Sequence, residues 1–360
     1  MTPESLEKHV GVLMERIDKK PFVANDLINT YIADHKHFSS DDKHMVLGAT
    51  WRVVRVMARL KYSYPAATWL DRVQSFLRSD LPNLDQAPNY IKWEVPEWVL
   101  THVPEAEKEL PALLGVPSII LRAIGDRKQV QELLHEEGIE TQTTALSPYG
   151  LILPAYCNLT HTKAWQDGMI EIQDEGAQLV ALDIGVKPND TVFDFCAGAG
   201  GKSLIFAQMM QNKGLIWAYD ITAKKLFELS RRAKRAHIDI IEIQPKLPEP
   251  VKMFDYVVVD APCSGTGTWR RNPHMRWHLT EKQLGHIVKS QTQILNRSES
   301  YVKEGGYLAY ITCSLTRDEN EDQVRLFLST HPNFRLVKQK RYSPAKTQTD
   351  GFFLCMMQKA

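Results

Sequence analysis

The chain has 360 residues, 43% hydrophobic and 24% charged, with a formal net charge of +1. That length gives room for roughly two or three domains, and so even a charge balance gives no overall pull towards a polyanion, leaving any claim on nucleic acid to local patches. The start, Met1-Thr-Pro-Glu-Ser-Leu-Glu, lacks the basic-then-apolar pattern of a leader, and no apolar run approaches the roughly 18–20 residues that span a bilayer. Five scattered cysteines (157, 196, 263, 313 and 355) make neither a disulfide framework nor a zinc motif. A cytoplasmic, monomeric protein with no membrane segment and no metal is the expectation.

Residues 1–112 read as helical. Leu6, Val10, Leu13 and Met14 repeat at helical spacing, as do Val46, Trp51, Val54, Met57 and Leu60, and Ser39-Ser40-Asp41 offers a cap. Such stripes mark faces turned to a core. Pro82, Pro88, Pro96 and Pro104 cut the later part into short helices. Arg52, Arg55 and Arg59 read as a solvated helix face, with RNA contact as the alternative. From 113 to 172 the character changes. Ser118–Arg122, Leu151–Leu153 and Met169–Ile172 are strand-like and Arg127–Glu137 helix-like, which predicts a small α/β module.

In residues 173–360, strands and helices alternate after a first helix from Gln173. Strands are expected up to Ala197 and at 215–219, 238–243, 255–260 and 306–312, with helices from 202 and at 222–236, about 280–303 and 318–330. That order predicts a doubly wound, mostly parallel sheet, closed by an antiparallel hairpin of Phe334–Lys338 and Gly351–Met357. The strand ends at 194–201, 220, 260 and 312–314 then share one edge, where open α/β sheets bind ligands.

The stretch Thr191-Val-Phe-Asp-Phe-Cys-Ala-Gly-Ala-Gly-Gly-Lys-Ser203 reads as strand, glycine turn and helix start, so a small ligand can approach its backbone. A dinucleotide fingerprint fails because its third glycine falls on Ser203. A phosphate-binding loop finds its end in Gly201-Lys202-Ser203 but has Cys196 where its first glycine belongs. The third candidate is S-adenosylmethionine, with Asp220, 26 residues beyond Asp194, as its ribose-binding acid. The turn alone leaves these open.

Two cysteines decide it. Cys263, in Asp260-Ala-Pro-Cys-Ser-Gly-Thr-Gly, and Cys313, in Thr312-Cys-Ser, each follow the carboxyl end of a strand on the ligand edge. A lone cysteine is usually a small buried hydrophobe, which is the reading for Cys157, Cys196 and Cys355 outside the turn's ligand contacts. A pair facing a methyl donor has a use. Carbon 5 of a pyrimidine is a poor nucleophile until a thiolate adds at carbon 6, and a second group must then assist proton loss and release. Asp260 stands where an acid can meet the ring nitrogen.

These residues resemble the signature motifs of the RsmB/Nop family of RNA (cytosine-5) methyltransferases. Gln173-Asp-Glu, Arg270-Arg-Asn-Pro, Glu319-Asn-Glu and Asp350-Gly-Phe-Phe fit as well, so the resemblance covers about 170–357. The 113–172 module is similar to that family's small RNA-recognition domain, and 1–112 to a NusB-like helical RNA-binding domain. The resemblance implies a Rossmann-like class I methyltransferase domain over 173–360, S-adenosylmethionine as cofactor, and RNA as partner. Ribosomal RNA is the expected substrate and 5-methylcytosine the product. Transfer RNA, or a ribosome assembly factor that keeps the fold without turnover, are the alternatives.

Residue by residue, the resemblance makes Cys313 the nucleophile and Cys263 the thiol assisting release, which the residues alone left unranked. Asp260 contacts the base and the cofactor side. Cys196, Ala197, Gly198, Ala199, Gly200, Gly201 and Lys202 surround the methionine part of the cofactor, and Asp220 holds its ribose. The family closes its third strand with an aspartate reaching the adenine; this chain has Gln244 there. The family's Arg-x-Asn in the small module is Arg122-Ala-Ile here. Arg270, Arg271 and Arg276, beside the Cys263 loop, are expected on RNA phosphates, whereas the basic cluster of helix 224–235 reads as a solvated face with phosphate contact as the alternative.

Overall fold

The structure is a computed structural model that describes residues 1–79, 83–154, 157–250 and 253–360; Pro82 lies outside the described residues. The chain divides into two compact units, residues 1–115 with 269–284, and residues 116–268 with 285–360.

The first unit is helical, with its longest helices at Pro3–Lys19, Ala24–Asp34, Ser40–Val54 and Trp69–Arg78. The expected stripes are its core: Val10, Leu13, Met14, Val46, Val54, Met57 and Leu60 are all buried. The Ser39 hydroxyl accepts the Asp42 N–H while the Asp42 carboxylate accepts that of Ser39, a capping box that starts Ser40–Val54. Residues 269–284, which the sequence reading kept with the catalytic domain, belong to this unit. Trp277 packs on its core, and the Arg276 guanidinium donates to the Leu113 carbonyl at 2.6 Å. Arg55 and Arg59 are likewise used internally, Arg55 on the Arg270 carbonyl and Arg59 on the Lys92 carbonyl and the Glu94 carboxylate. Of the three expected as a solvated face, Arg52 alone is exposed.

The second unit holds two sheets. The smaller contains β1 (Ile119–Ala123), β2 (Gln142–Thr143), β3 (Gly150–Leu153) and β4 (Ile170–Ile172), antiparallel in the order β2-β3-β1-β4. The larger contains β5 (Thr191–Asp194), β6 (Leu215–Tyr219), β7 (Ile241–Gln244), β8 (Phe254–Asp260), β9 (Val302–Thr312), β10 (Phe334–Tyr342) and β11 (Phe352–Lys359). Its order is β10-β11-β9-β8-β5-β6-β7, parallel from β9 to β7, with the hairpin of β10 and β11 antiparallel at the other edge.

Alternation along the strands explains their composition. Val192, Val258, Ala309, Ile311 and Leu354 turn to one face and Phe193, Val257, Val259, Leu308 and Phe353 to the other, each set inside its own core cluster. Both faces are covered, so the strands read as unbroken apolar runs. Each of these Val, Ile, Leu and Phe side chains contributes about 1.5–3 kcal/mol by leaving water. The strand order reverses between β5 and β8, and the carboxyl ends of those strands are where this fold leaves a crevice.

Candidate active site

Asp194, the last residue of β5, is fully buried and accepts a hydrogen bond from the Ser203 hydroxyl at 2.6 Å. Burial pushes its carboxyl up to about 7; the Ser203 hydroxyl draws it back, while the nearby Asp260 and Asp220 charges push further. The chain then turns through Cys196 to Gly201. Gly198 and Gly200 have φ of +56° and +88°, and a Cβ on Gly200 would lie 2.1 Å from the Leu229 side chain, so the turn needs glycine there. Helix Gly201–Met209 begins at once, presenting its free N–H groups at the strand edge. Cys196 supports the turn from behind, where burial raises its thiol and keeps it neutral.

The turn is anchored on three sides. The Gly198 N–H donates to Asp220 Oδ2 at 3.0 Å, and Thr222 N–H donates to Oδ1 at 2.8 Å, which fixes the carboxylate just past β6. The Arg232 guanidinium donates to the Ala199 carbonyl at 2.5 Å. The Gln173 amide donates to the Gly201 carbonyl at 2.9 Å and itself accepts from Arg122 Nε at 2.7 Å. Arg122 is 0% exposed, and its burial lowers its pKa to about 10. It therefore holds the turn from beneath and offers nothing to RNA. Gln244 ends β7, half-buried and paired in register with Tyr219.

On the strand beside β5, Asp260 closes β8 and receives the Lys202 ammonium at 2.8 Å. Burial alone would pull the Lys202 pKa down, but the Asp260 carboxylate, with Cys313 and Asp194 behind it, raises it and keeps the side chain an ammonium. Lys202 thus joins the cofactor turn to the thiol side, a link that spacing in the sequence did not reveal. The Cys263 and Cys313 sulfurs stand 3.3 Å apart. The hydrogen bond to Cys313 is the main cause holding the Cys263 thiol well above its ordinary pKa, with burial next. Backbone ties the two loops: Gly267 N–H donates to the Cys313 carbonyl at 2.9 Å, and Gly351 N–H to the Gly267 carbonyl at 2.9 Å.

The structure brings together Asp260, Lys202, Cys263, Cys313, the glycine turn and Asp220. It corrects the expectation for Arg276, which is 1% exposed with its guanidinium spent inside the helical unit, and for Arg270, which is buried as well. Arg271 is half-buried. Sequence reasoning passed over Ile221, which is 90% exposed directly after Asp220 on the ligand edge. An exposed aliphatic beside the Asp220 carboxylate offers an apolar face to a flat ring, and nothing in the local sequence marks it as uncovered. Among the described residues, no group of His, Cys, Asp and Glu could hold a metal, and no helix is long and apolar enough to cross a membrane.

A family model described as 16S rRNA methyltransferase RsmB/F matches residues 181–358. A "Probable ribosomal RNA small subunit methyltransferase B" of Bacillus subtilis (strain 168) is 31% identical over 325 residues, covering 80% of this chain and 72% of that protein. The protein so named from Synechocystis sp. (strain ATCC 27184 / PCC 6803 / Kazusa) is 33% identical over 257 residues, 65% of this chain; the chain spans 58% of that relative, less than two thirds of its length. The crystal structure of PH0851 superposes over 100% of this chain and 99% of its own, with a TM-score of 0.81 at 22% identity. NSun6 from Pyrococcus horikoshii with SFG matches 71% of this chain and 94% of its own, with a TM-score of 0.63 at 19% identity. At those identities the two structures speak for the fold.

Fold and turn together define an S-adenosylmethionine-dependent methyltransferase of the Rossmann-like class. The chain belongs to the RsmB/F methyltransferase family. The residues present fit that cofactor: the Asp220 carboxylate suits ribose hydroxyls, Ile221 an adenine face, and Asp194 Oδ1 is a buried oxygen without a hydrogen-bond partner at the turn.

Proposed function

We propose that this chain forms 5-methylcytosine in ribosomal RNA, with Cys313 as the nucleophile. The observation that carries this reading is the 3.3 Å pair of thiols at adjacent strand ends, beside the Lys202–Asp260 pair. S-adenosylmethionine, when bound, supplies an electrophilic methyl group on its sulfonium. Asp220 and the Gly198–Lys202 turn hold it, and Gln244, at the end of the neighbouring strand, takes the adenine contact that an aspartate makes elsewhere in the family.

The Cys313 thiolate adds to carbon 6 of the cytosine, and the ring's electrons pass to carbon 5, which becomes the nucleophile for the methyl group. Lys202 is an ammonium facing Cys313, so it balances the thiolate's charge before attack. Asp260, paired with that same ammonium, accepts a hydrogen bond from the ring nitrogen once the adduct has taken up a proton there from water. The carbon 5 proton and then the ring-nitrogen proton pass to water as the carbon 6–sulfur bond breaks, leaving Cys313 as the thiolate it was before attack. Cys263 keeps its proton, and its sulfur lies where an S–H can donate to the departing Cys313 thiolate.

The target cytosine must leave its stack to meet Cys313, which favours a loop or an opened helix. The helix Ala223–Arg235 supports an RNA track near the site, because Lys224, Phe227, Arg231 and Lys234 recur on one exposed face. Basic residues around an exposed aromatic suit a phosphate backbone with an unstacked base. We assign residues 1–112 as a NusB-like RNA-binding domain and 113–172 as the RNA-recognition module on resemblance alone, and Arg271 remains the phosphate contact of its set.

The test is Cys263→Ala protein incubated with total cellular RNA and S-adenosylmethionine and run on a denaturing gel. A shifted band that requires Cys313 is expected, and sequencing the trapped RNA names the target. If no band forms and wild-type protein transfers no methyl group to RNA, the assembly-factor reading replaces this one.

A further inference from the structure

Glu319 lies in the loop after β9, 0% exposed, and has no role in the reaction as written above. Its Oε1 accepts the Ser264 N–H at 2.7 Å and the Gln291 amide at 3.0 Å. Its Oε2 accepts the hydroxyls of Ser264 at 2.5 Å, Ser314 at 2.5 Å and Thr316 at 2.8 Å. Ser264 follows Cys263 and Ser314 follows Cys313. One carboxylate therefore grips the residue after each thiol, and the two hydroxyls also meet each other at 3.1 Å.

The neighbouring residue completes the grip. The Thr312 hydroxyl donates to Asn320 Oδ1 at 2.5 Å, and the Asn320 amide donates to the Ser314 carbonyl at 2.9 Å. Cys313 is thereby fixed through the residues on both sides of it. The Tyr310 hydroxyl in turn donates to the Glu319 carbonyl at 2.7 Å, setting the loop on the strand.

A buried carboxylate is expensive to desolvate, and these five hydrogen bonds, all from neutral groups, offset that cost. Loops could be joined by neutral groups at lower cost, so the retained charge calls for a further role. It faces the Cys263 thiol, whose surroundings also include Cys313 and the Tyr310 phenol.

We propose that Glu319 is a positioning residue that sets the relative placement of the two cysteine sulfurs and keeps the proton on Cys263 rather than on Cys313. The inference rests on the reaction proposed above for its consequence in turnover, but the placement and reactivity of the thiols can be read without it. With Glu319 in place, the nucleophile and the release group are kept distinct although their sulfurs nearly touch.

The test alkylates wild-type and Glu319→Gln protein with iodoacetamide near neutral pH and quantifies each cysteine by peptide mass. Removing the charge lowers the Cys263 pKa, so the ratio of Cys263 to Cys313 labelling is expected to rise severalfold. The RNA methylation kcat should fall while cofactor affinity holds, and Glu319→Asp should restore part of both the ratio and the rate. The Ser264→Ala/Ser314→Ala double variant, which keeps the carboxylate but loses the two serine hydroxyls it holds, decides the matter if Glu319→Gln does not fold; it too should shift the ratio. An unchanged ratio in the variants that fold overturns the proposal. Wild-type protein that neither methylates RNA nor forms the adduct overturns the reaction instead, and the labelling ratio still reports on Glu319.

Discussion

Around β5 and β6 the site is made of backbone: two glycines with positive φ, the free N–H groups of a helix start, and one carboxylate pinned by two amides. Around β8 and β9 it is made of paired side chains: the two thiols on each other, Lys202 on Asp260, and Glu319 on the serines that follow the thiols. The backbone half presents a shape that a ligand fills, so damage there should appear as lost affinity. The side-chain half holds reactive atoms at set distances, so damage there should appear as lost rate with affinity intact.

Cys313→Ala tests that division most severely. Methyl transfer should fall to background while S-adenosylmethionine binds with its wild-type dissociation constant by calorimetry. A parallel loss of affinity would mean the halves are not separable. Gly267→Ala comes next, because it perturbs the thiol half through the backbone that ties its loops. A Cβ at 267 would lie 2.3 Å from the Gly351 carbonyl oxygen and 2.9 Å from that of Cys313, so these loops must part. A displacement of an ångström in reacting groups costs about a hundredfold in rate, and kcat should fall by that order with cofactor affinity retained. Asp220→Ala is the converse. It removes a carboxylate from the cofactor half together with its bonds to Gly198 and Thr222, and the dissociation constant should rise by about ten- to a hundredfold. At saturating cofactor its kcat should approach that of wild type, and a kcat loss that saturation fails to restore would place Asp220 in the chemistry.

The same contrast explains what the sequence revealed. The glycine turn, Asp220 and the alternation of strands and helices are local in sequence, because a turn that needs positive φ takes glycine and a doubly covered strand takes an apolar run. The two cysteines were found because each sits one to three residues past a strand end, and their order of action came from resemblance. The Glu319 clamp was not legible: Ser264, Ser314, Gln291 and Glu319 come from three separate stretches and meet only in the fold. Arg276 misled for the same reason. A basic cluster beside a catalytic loop reads as a phosphate track until the chain is seen to bury that guanidinium against the Leu113 carbonyl, 163 residues away in sequence.

The mildest test falls on Asp194, which belongs to both halves through Ser203 on one side and the charges of Asp260 and Asp220 on the other. Its carboxyl is raised to about 7 from 3.8. Below 3.8 the group carries its proton in the folded and unfolded chain alike, and its contribution to stability is fully present. Between 3.8 and about 7 the folded chain keeps a proton that the unfolded chain has released, so stability falls as pH rises through that window, and the loss is complete above it. Asp194→Asn removes the titration while keeping the size and an acceptor for Ser203. Urea unfolding followed by circular dichroism should therefore give a shallower decline in stability from pH 4 to pH 7 for the variant than for wild type. Glu94 in the helical unit is also raised by burial, to about 7, and titrates over the same range in both proteins, so the difference between the two curves isolates Asp194. Parallel curves would mean that Asp194 stays ionised beside Lys202 throughout, and the cofactor half would then carry a fixed negative charge where a neutral acid is expected.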